Sequence, residues 1–212
     1  MVRVLALPFL LLALPPFHAS IKPLPEPVRA QLDGRFWHPG CPVPLSELRI
    51  LTVTHWGFDG RPHTGQLVVN QEVAPPLARV FRQLYVLRFP IHHMRLADAY
   101  GPARGRPADN DISGSFECRQ AVPSPCTGGT GTGTWSMHAY GKAVDLNPVE
   151  NPYVGCGRTR DRSRSPYLDR SRLRRGMVTP AVVKAFRSIG WGWGGDWTGS
   201  TKDYMHFSAS GH

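Results

Sequence analysis

The sequence predicts an α+β fold in a single domain, with a small, mostly antiparallel sheet, flanking helices and a zinc site. The chain has 212 residues, which is the usual size of one domain and enough to bury a core. Short β-branched segments are mixed with two amphipathic helical segments, and the two kinds do not alternate regularly. Regular alternation would favour a parallel sheet, so this order favours the α+β class.

The first half of the domain is predicted to form a hairpin followed by a helix. Residues 49–54 and 66–70 are short and β-branched, and a turn-rich segment separates them. Pro76 opens the helix. The apolar face of this helix has the spacing i, i+3, i+4, i+7 and consists of Leu77, Val80, Phe81 and Leu84. Residues 91–97 are predicted to form a further strand.

The second half is predicted to contain two short strands and one helix. The strands are residues 143–146 and 206–208. Thr179 and Pro180 have the residue types of a helix N-cap and first helical position, and Gly190 ends the helix. The buried stripe of this helix is predicted to be Val182, Val183, Phe186 and Ile189.

The N-terminal segment, residues 1–19, is predicted to be a signal peptide. Arg3 precedes an apolar run that is shorter than the roughly 20 residues of a membrane span, and Ala19 supplies a small residue at its end. The proline-rich residues 20–48 are predicted to be an extended lead-in. The sequence therefore predicts a secreted protein without stable membrane insertion.

The chain is basic, with a formal net charge of +10. A basic surface fits nucleic acid, anionic lipid or the anionic polymers of a bacterial wall, and export favours the last two. Residues 158–175 hold eight arginines interleaved with serine and aspartate. No aromatic platform accompanies them, so we expect a solvated loop that can contact wall polymer and no nucleic-acid partner.

Four cysteines form an even set in a chain predicted to be exported, so two disulfides are expected. Sequence alone leaves three connectivities open. Cys118 and Cys126 flank a short loop and could close it, which would leave Cys41 to pair with Cys156. The chain has no CxxC pair, which gives little support to a cysteine zinc site.

Two motifs carry the chemistry. In the first, Ser136-x-His138-x-x-Gly141-x-Ala143-x-Asp145, a turn at the glycine can bring the histidine and the carboxylate together. In the second, Asp203-x-x-His206, the two residues share a face of any tight turn. Two imidazoles and one carboxylate make a three-donor zinc set with a fourth position for water.

The joint occurrence of both motifs, in this order, resembles the D-alanyl-D-alanine carboxypeptidase family of zinc peptidases. That family includes vancomycin-resistance D,D-peptidases and L-alanyl-D-glutamate endopeptidases. The wider context that resembles one branch is Ser115-Phe116-Glu117-Cys118-Arg119, Asn147-Pro148, Trp193-Gly194-Gly195-Asp196-Trp197 and Met205-His206-Phe207. The resemblance implies a zinc peptidase domain over residues 49–212.

The resemblance also implies residue roles. His138, Asp145 and His206 correspond to the ligands of one zinc ion per chain, and Asp203 to the catalytic acid that moves the proton. Ser136 corresponds to a serine that helps hold the substrate. An arginine stabilises the oxyanion in this family. Arg119 is the candidate for that arginine here, and Arg95 is the alternative.

The substrate implied is a peptidoglycan stem peptide. We expect removal of a terminal D-alanine, with L-alanyl-D-glutamate cleavage as the alternative. A noncatalytic zinc-containing wall-binding module is the alternative of another class, since the hedgehog signalling domain resembles this site. The presence of Asp203 and Ser136 favours catalysis. Four further histidines, which lack a partner at ligand spacing, are expected to be surface or packing residues: His55, His63, His92 and His93.

Overall fold

The computed structural model describes residues 15–123, 133–159 and 161–212. The strands are β1 (Ala19–Pro23), β2 (Leu48–Trp56), β3 (Pro62–Asn70), β4 (Ala143–Asp145), β5 (Tyr153–Val154), β6 (Gly192–Trp193), β7 (Lys202–Asp203) and β8 (His206–Ser208). The α-helices are α1 (Glu26–Leu32), α2 (Ala74–Val86), α3 (Leu96–Tyr100) and α4 (Pro180–Arg187). Short 3-10 turns cover Leu45–Glu47, Ala103–Gly105, Met137–Tyr140, Arg162–Tyr167 and Gly194–Asp196. The predicted α+β class in a single domain is confirmed.

The strands pair in three antiparallel groups, with the orders β1-β2-β3, β4-β8-β6 and β5-β7. In the first sheet β2 is central, and β2 and β3 form the predicted hairpin, in which Leu51 lies opposite Leu67. In the second sheet β8 is central, between β4 and β6. The C-terminal strands β6, β7 and β8 therefore supply members of the second and third groups.

The first sheet separates two hydrophobic clusters because successive side chains of a strand point to opposite faces. Leu51 and Val53 of β2 face a core formed with α2, α4 and the second sheet. Leu48 and Ile50 of the same strand face a cluster that lies with α1 and α3. All four side chains are buried, so β2 is covered on both sides.

The two predicted amphipathic helices are confirmed. All four predicted apolar residues of α2 are buried, and so are Val182, Val183 and Phe186 of α4. Ile189 is partly buried against the same core. Thr179 caps α4 by accepting the N–H of Val182 at 3.4 Å, and Pro180 is its first residue.

The predicted strand over residues 91–97 is wrong. Residues 96–100 form α3 instead, because Asp98 accepts the Arg95 N–H at 3.2 Å and its carboxylate also binds the Arg95 guanidinium. The sequence signal was the β-branched and apolar start of the segment, but the local cap starts a helix. Residues 26–32, within the expected extended lead-in 20–48, form α1.

The disulfide pairing expected from sequence is wrong. Cys41 bonds to Cys118 across 77 residues of chain, so neither expected partner is available to either of them. Cys156 is also disulfide-bonded, and Cys126 lies outside the described residues. The prediction paired Cys118 with Cys126 because they are close in sequence. In the structure the chain after α1 folds back against residues 116–118, where the Cys118 N–H donates to the Phe36 carbonyl at 2.9 Å, and this brings Cys41 to Cys118.

The predicted signal peptide lies mostly outside the described residues. Within them, the Pro15 carbonyl accepts a hydrogen bond from the Tyr85 hydroxyl at 2.9 Å, and Phe17 packs against the core. Ala19 is the first residue of β1, so cleavage after it would leave residues 20–23 of the strand. No helix in the described part of the chain is long and apolar enough to cross a membrane.

The turn between the first motif's histidine and its carboxylate depends on Gly141. Its φ of 63° lies in the left-handed region, and a Cβ there would lie 2.7 Å from the backbone nitrogen of Asn70. The Gly141 carbonyl also accepts the Asn70 N–H at 2.9 Å, which joins the motif to the end of β3. Any side chain at this position therefore meets both backbone strain and a clash.

We expect Gly141→Ala to lower the free energy of unfolding by more than the roughly 1–2 kcal/mol of left-handed strain, because the clash adds to that strain. Gly60→Ala is the matched control, with φ 75° and nothing within 4 Å of its added Cβ. Urea denaturation measures both. Equal losses in the two variants would contradict the claimed contact with Asn70.

Candidate functional site

His138 is held in a fixed orientation and tautomer. It lies in the 3-10 turn Met137–Tyr140, which Ser136 caps by accepting the His138 N–H at 3.3 Å. The ring is buried, and its Nδ1 lies 2.5 Å from the carbonyl oxygen of Ser115. A carbonyl only accepts, so Nδ1 carries the proton and Nε2 of the neutral ring has a free lone pair.

Asp145 and His206 face each other across two strands. They are directly opposed in the antiparallel pairing of β4 with β8, although 61 residues separate them in sequence. The His206 Nδ1 lies 3.1 Å from Asp145 Oδ1 and 3.2 Å from the Nε2 of His138. The other ring nitrogen of His206, Nε2, is buried without a hydrogen-bond partner among the described residues.

The three side chains form a donor set that fits a zinc ion. The remaining distance, from His138 Nε2 to Asp145 Oδ2, is 3.3 Å, so the three contacts span 3.1–3.3 Å. Donors on a tetrahedral zinc, at bond lengths of about 2.0 Å, are separated by about 3.3 Å. Two imidazole nitrogens and one carboxylate are also the donor types that zinc prefers in open sites. The sequence-predicted ligand residues are therefore brought together.

Electrostatics hold Asp145 in its charged form. Burial opposes ionisation, but the two imidazoles and their hydrogen bonds outweigh it and hold the pKa of Asp145 well below its usual range. Burial lowers the pKa of His138, yet the charge of Asp145 and the hydrogen bonds with Asp145 and Ser115 together outweigh it, and the net shift is upward. The site therefore concentrates one negative charge between two basic rings, an arrangement that attracts a cation.

Asp203 lies in the same cleft with the opposite electrostatic character. It ends β7, opposite Tyr153 of β5, and its Oδ1 is buried without a hydrogen-bond partner in the described structure. Burial raises the pKa of Asp203 to about 8, and the charge of Asp145 adds to the effect. Two carboxyl groups in one cleft thus have pKa values shifted in opposite directions.

These residues line one cleft of about 620 Å³. Arg119 and Ser136 also line it, as the sequence predicted for residues that contact substrate. The Arg119 guanidinium is partly held by Glu117 Oε2 at 2.8 Å, and its charge lowers the pKa of Asp203 in opposition to burial. The alternative, Arg95, is bound to Asp98 on α3 and lies outside the described lining of the cleft.

Two lining residues, Arg164 and Tyr153, were not assigned to the site from the sequence. Arg164, in the segment expected to be a solvated loop, lines the cleft with a mostly buried side chain. Tyr153, in the stretch Asn151-Pro152-Tyr153, lines it beside Asp203. Trp197 supplies the aromatic ring of the cleft wall and lies 6.0 Å from the His206 ring, centroid to centroid. Nothing in the sequence indicated where the 3-10 turn that carries Arg164 packs.

Comparison with known families finds a match for the segment that carries both motifs. Residues 130–209 match the family described as D-alanyl-D-alanine carboxypeptidase, and both motifs lie in this segment. The resemblance predicted from the two motifs is therefore confirmed over this segment, which is similar to peptidases of the D-alanyl-D-alanine carboxypeptidase type. The first sheet and α2 lie outside the matched residues. No match to a curated protein or to a solved structure is found.

The donor geometry leads to a prediction about metal content. We expect purified protein to retain one tightly bound zinc at this site after dialysis, and His206→Ala to lose it because a ligand nitrogen is removed. His212→Ala is the matched control, since His212 lines the same cleft outside the donor set. Atomic emission spectrometry measures both. Full retention of zinc in the His206→Ala variant would contradict the ligand set.

Proposed function

We propose that the protein is a secreted zinc peptidase that hydrolyses peptidoglycan stem peptides as a D-alanyl-D-alanine carboxypeptidase. One observation carries the proposal. The buried carboxyl group of Asp203, whose Oδ1 has no hydrogen-bond partner among the described residues, shares a cleft with the donor set of His138, Asp145 and His206. A structural metal site has no use for such a group. This arrangement favours catalysis over a noncatalytic wall-binding module.

The proposed metal ligands are His138, Asp145 and His206. A zinc ion bound by them would supply Lewis-acid chemistry, polarising the scissile carbonyl and making water more acidic. The protein contributes orientation, because the Ser115 carbonyl fixes the His138 ring and the strand pairing fixes the other two. Such outer hydrogen bonds typically matter about 10–100-fold for metal affinity or activity.

Asp203 is the proposed general base and general acid. A group that moves a proton works best when its pKa lies near the working pH, and burial moves this carboxyl group in that direction. Its Oδ1 is free to accept the proton of the attacking water, because no described residue occupies it. The same carboxyl group then donates that proton to the leaving amine.

Arg119 is the proposed oxyanion stabiliser. Its guanidinium lies close enough to affect the pKa values of both Asp203 and His138, and it is half-buried in the cleft wall. A cation that faces the reacting carbonyl stabilises the negative charge that develops on its oxygen. Glu117 holds one edge of the guanidinium at 2.8 Å, which limits the orientations of the side chain.

Ser136 and Arg164 are proposed to bind the substrate's C-terminal carboxylate. The Ser136 oxygen accepts the His138 N–H, so its own hydroxyl proton is not used in that bond. The Arg164 side chain donates to the Pro148 carbonyl at 3.2 Å, and its Nε lies 3.4 Å from Asp161 Oδ2. These contacts hold a cation in the cleft wall, and an arginine there suits a carboxylate ligand.

Secretion and wall contact are supported by two features. The disulfide between Cys41 and Cys118 is a bond that persists in oxidising compartments outside the cytosol. Five of the described arginines in the basic 158–175 segment are exposed: Arg158, Arg162, Arg172, Arg174 and Arg175. They form a surface suited to the anionic polymers of a bacterial wall.

Asp203→Asn is expected to retain zinc and fold while kcat falls by about 10³-fold or more, because proton transfer is lost and the metal ligands remain. Asp196→Asn is the matched control: this exposed carboxylate binds Arg187 at 2.7 Å, and its loss should change kcat less than twofold. Loss of zinc from the Asp203→Asn protein would show that Asp203 is a ligand and would overturn its proposed role.

The substrate proposal is tested with two pentapeptides that differ only in a free or an amidated C-terminus. We expect release of D-alanine from the free acid and loss of most activity on the amide, because the carboxylate contacts disappear. Arg164→Ala should raise KM about 10–100-fold for the free acid and leave the amide unchanged, as for loss of a charged hydrogen bond. Exposed Arg162 provides the control substitution, Arg162→Ala. Cleavage confined to the L-alanyl-D-glutamate bond would replace this proposal with the endopeptidase alternative.

A further inference from the structure

A second group of potential metal donors lies outside the cleft. His92, His93 and Asp109 each place one donor atom within 4.8 Å of the others. The two histidines follow Pro90, and Asp109 lies in the loop before the short bridge of Ile112 with His93. The sequence indicated no partner for these histidines because 16 residues separate His93 from Asp109. The fold supplies that partner.

The distances in this group fit a shared cation. The Oδ2 of Asp109 lies 3.2 Å from His93 Nε2 and 3.7 Å from His92 Nδ1. Ligands of a tetrahedral zinc-class metal, at bond lengths of about 2.0 Å, are separated by about 3.3 Å. The two rings stack at 4.3 Å between centroids, so both imidazoles face the same side of the loop. Their side chains are 37% and 27% exposed, which leaves the group accessible to an ion from solvent.

Two buried carboxyl groups stand behind this group. Asp111 is 1% exposed, and its Oδ2 lies 2.9 Å from His92 Nδ1, so a cation bound at that nitrogen would replace the proton that the two atoms share. Glu150 is 6% exposed, and its Oε2 has no hydrogen-bond partner among the described residues. Burial is the main cause that raises the pKa of Glu150 to about 8. The negative charge of Asp111 and a hydrogen bond with Asp111 raise it further. Three carboxyl groups and two imidazoles therefore converge, and one buried carboxyl oxygen lacks a partner.

The group is connected by backbone bonds to the candidate active site. The Ser113 N–H donates to the His93 carbonyl at 2.8 Å, and Gly114 forms a bridge with Asp145. The next residue, Ser115, holds the His138 ring through its carbonyl. A cation that fixes Asp109 and His93 would therefore fix the start of the segment that orients two residues of the cleft.

We propose that His92, His93 and Asp109, supported by Asp111 and Glu150, form a second divalent-metal site of the zinc class. The imidazoles select a borderline transition metal over calcium, which prefers oxygen ligands alone. Exposure makes this site weaker than the buried donor set of the cleft, so the metal exchanges with solvent. Its role is to brace residues 109–115, and it supplies no catalytic group.

Equilibrium dialysis of the purified protein against zinc tests the site without a catalytic readout. The wild type should bind a second, weaker equivalent, and His93→Ala and Asp109→Asn should each lose at least about tenfold in affinity for that equivalent alone. His63→Ala is the control, because His63 forms a comparable histidine–aspartate pair with Asp59 at 2.9 Å, and no third donor joins the pair among the described residues.

Three outcomes would overturn the proposal. They are wild-type binding that stops at the one equivalent lost in His206→Ala, an unchanged second equivalent in both His93→Ala and Asp109→Asn, or calcium binding at the second site with an affinity that His93→Ala does not change. Circular dichroism confirms the fold of each variant, and Asp109 is exposed enough for its amide to be tolerated. Failure of the peptidase proposal would leave these binding results unchanged, because they are read separately from the zinc lost in His206→Ala.

Discussion

The candidate site depends on the antiparallel pairing of β4 with β8. This three-residue pairing sets Asp145 opposite His206, and strands this short have little stability of their own. Their central residues provide it, because Val144 and Phe207 are fully buried and Phe207 stacks on Phe186 of α4 at 3.9 Å. Burial of such side chains contributes about 1.5–3 kcal/mol each. The hydrophobic core therefore fixes the register, and the register fixes the two facing donors.

Opposed pKa shifts separate the roles of the two carboxylates in the cleft. Both are buried, but Asp145 faces two imidazoles and stays charged, whereas Asp203 has an unpartnered oxygen and a neighbouring negative charge. Groups whose surroundings push their pKa values apart in this way are suited to different tasks, one to charge stabilisation and one to proton transfer. Sequence spacing alone could not make this distinction, since it placed an aspartate near each histidine.

The sequence predicted the parts of the fold that depend on local periodicity. The stripes of α2 and α4, the hairpin and the strands at residues 143 and 206 follow from side-chain spacing. The predictions failed where a contact between side chains, rather than a periodic pattern, determines the structure. Cys118 faces Cys41 because the chain after α1 folds against it, and Asp98 converts a predicted strand into α3 by capping it.

In the candidate site, too, the residues within local motifs could be predicted and the contacts between distant segments could not. The motifs contain all three donors, Asp203 and Ser136, since these residues are near each other in sequence within each motif. The Ser115 carbonyl that fixes His138 could not be predicted, because any residue has a carbonyl and only the fold brings this one to the ring. Arg164 and the pairing of Asp109 with His93 were missed for a similar reason, because long loops carry no periodic signal.

The central claim is that three side chains of the two motifs hold a metal while Asp203 remains free to move a proton. An anomalous-difference map from crystals of the purified protein, recorded across the zinc absorption edge, tests it most directly. The account predicts a peak at about 2.0–2.2 Å from His138 Nε2, His206 Nδ1 and an Asp145 oxygen, with Asp203 outside bonding distance. A cleft peak bonded to Asp203, or no zinc peak in the cleft, would contradict it.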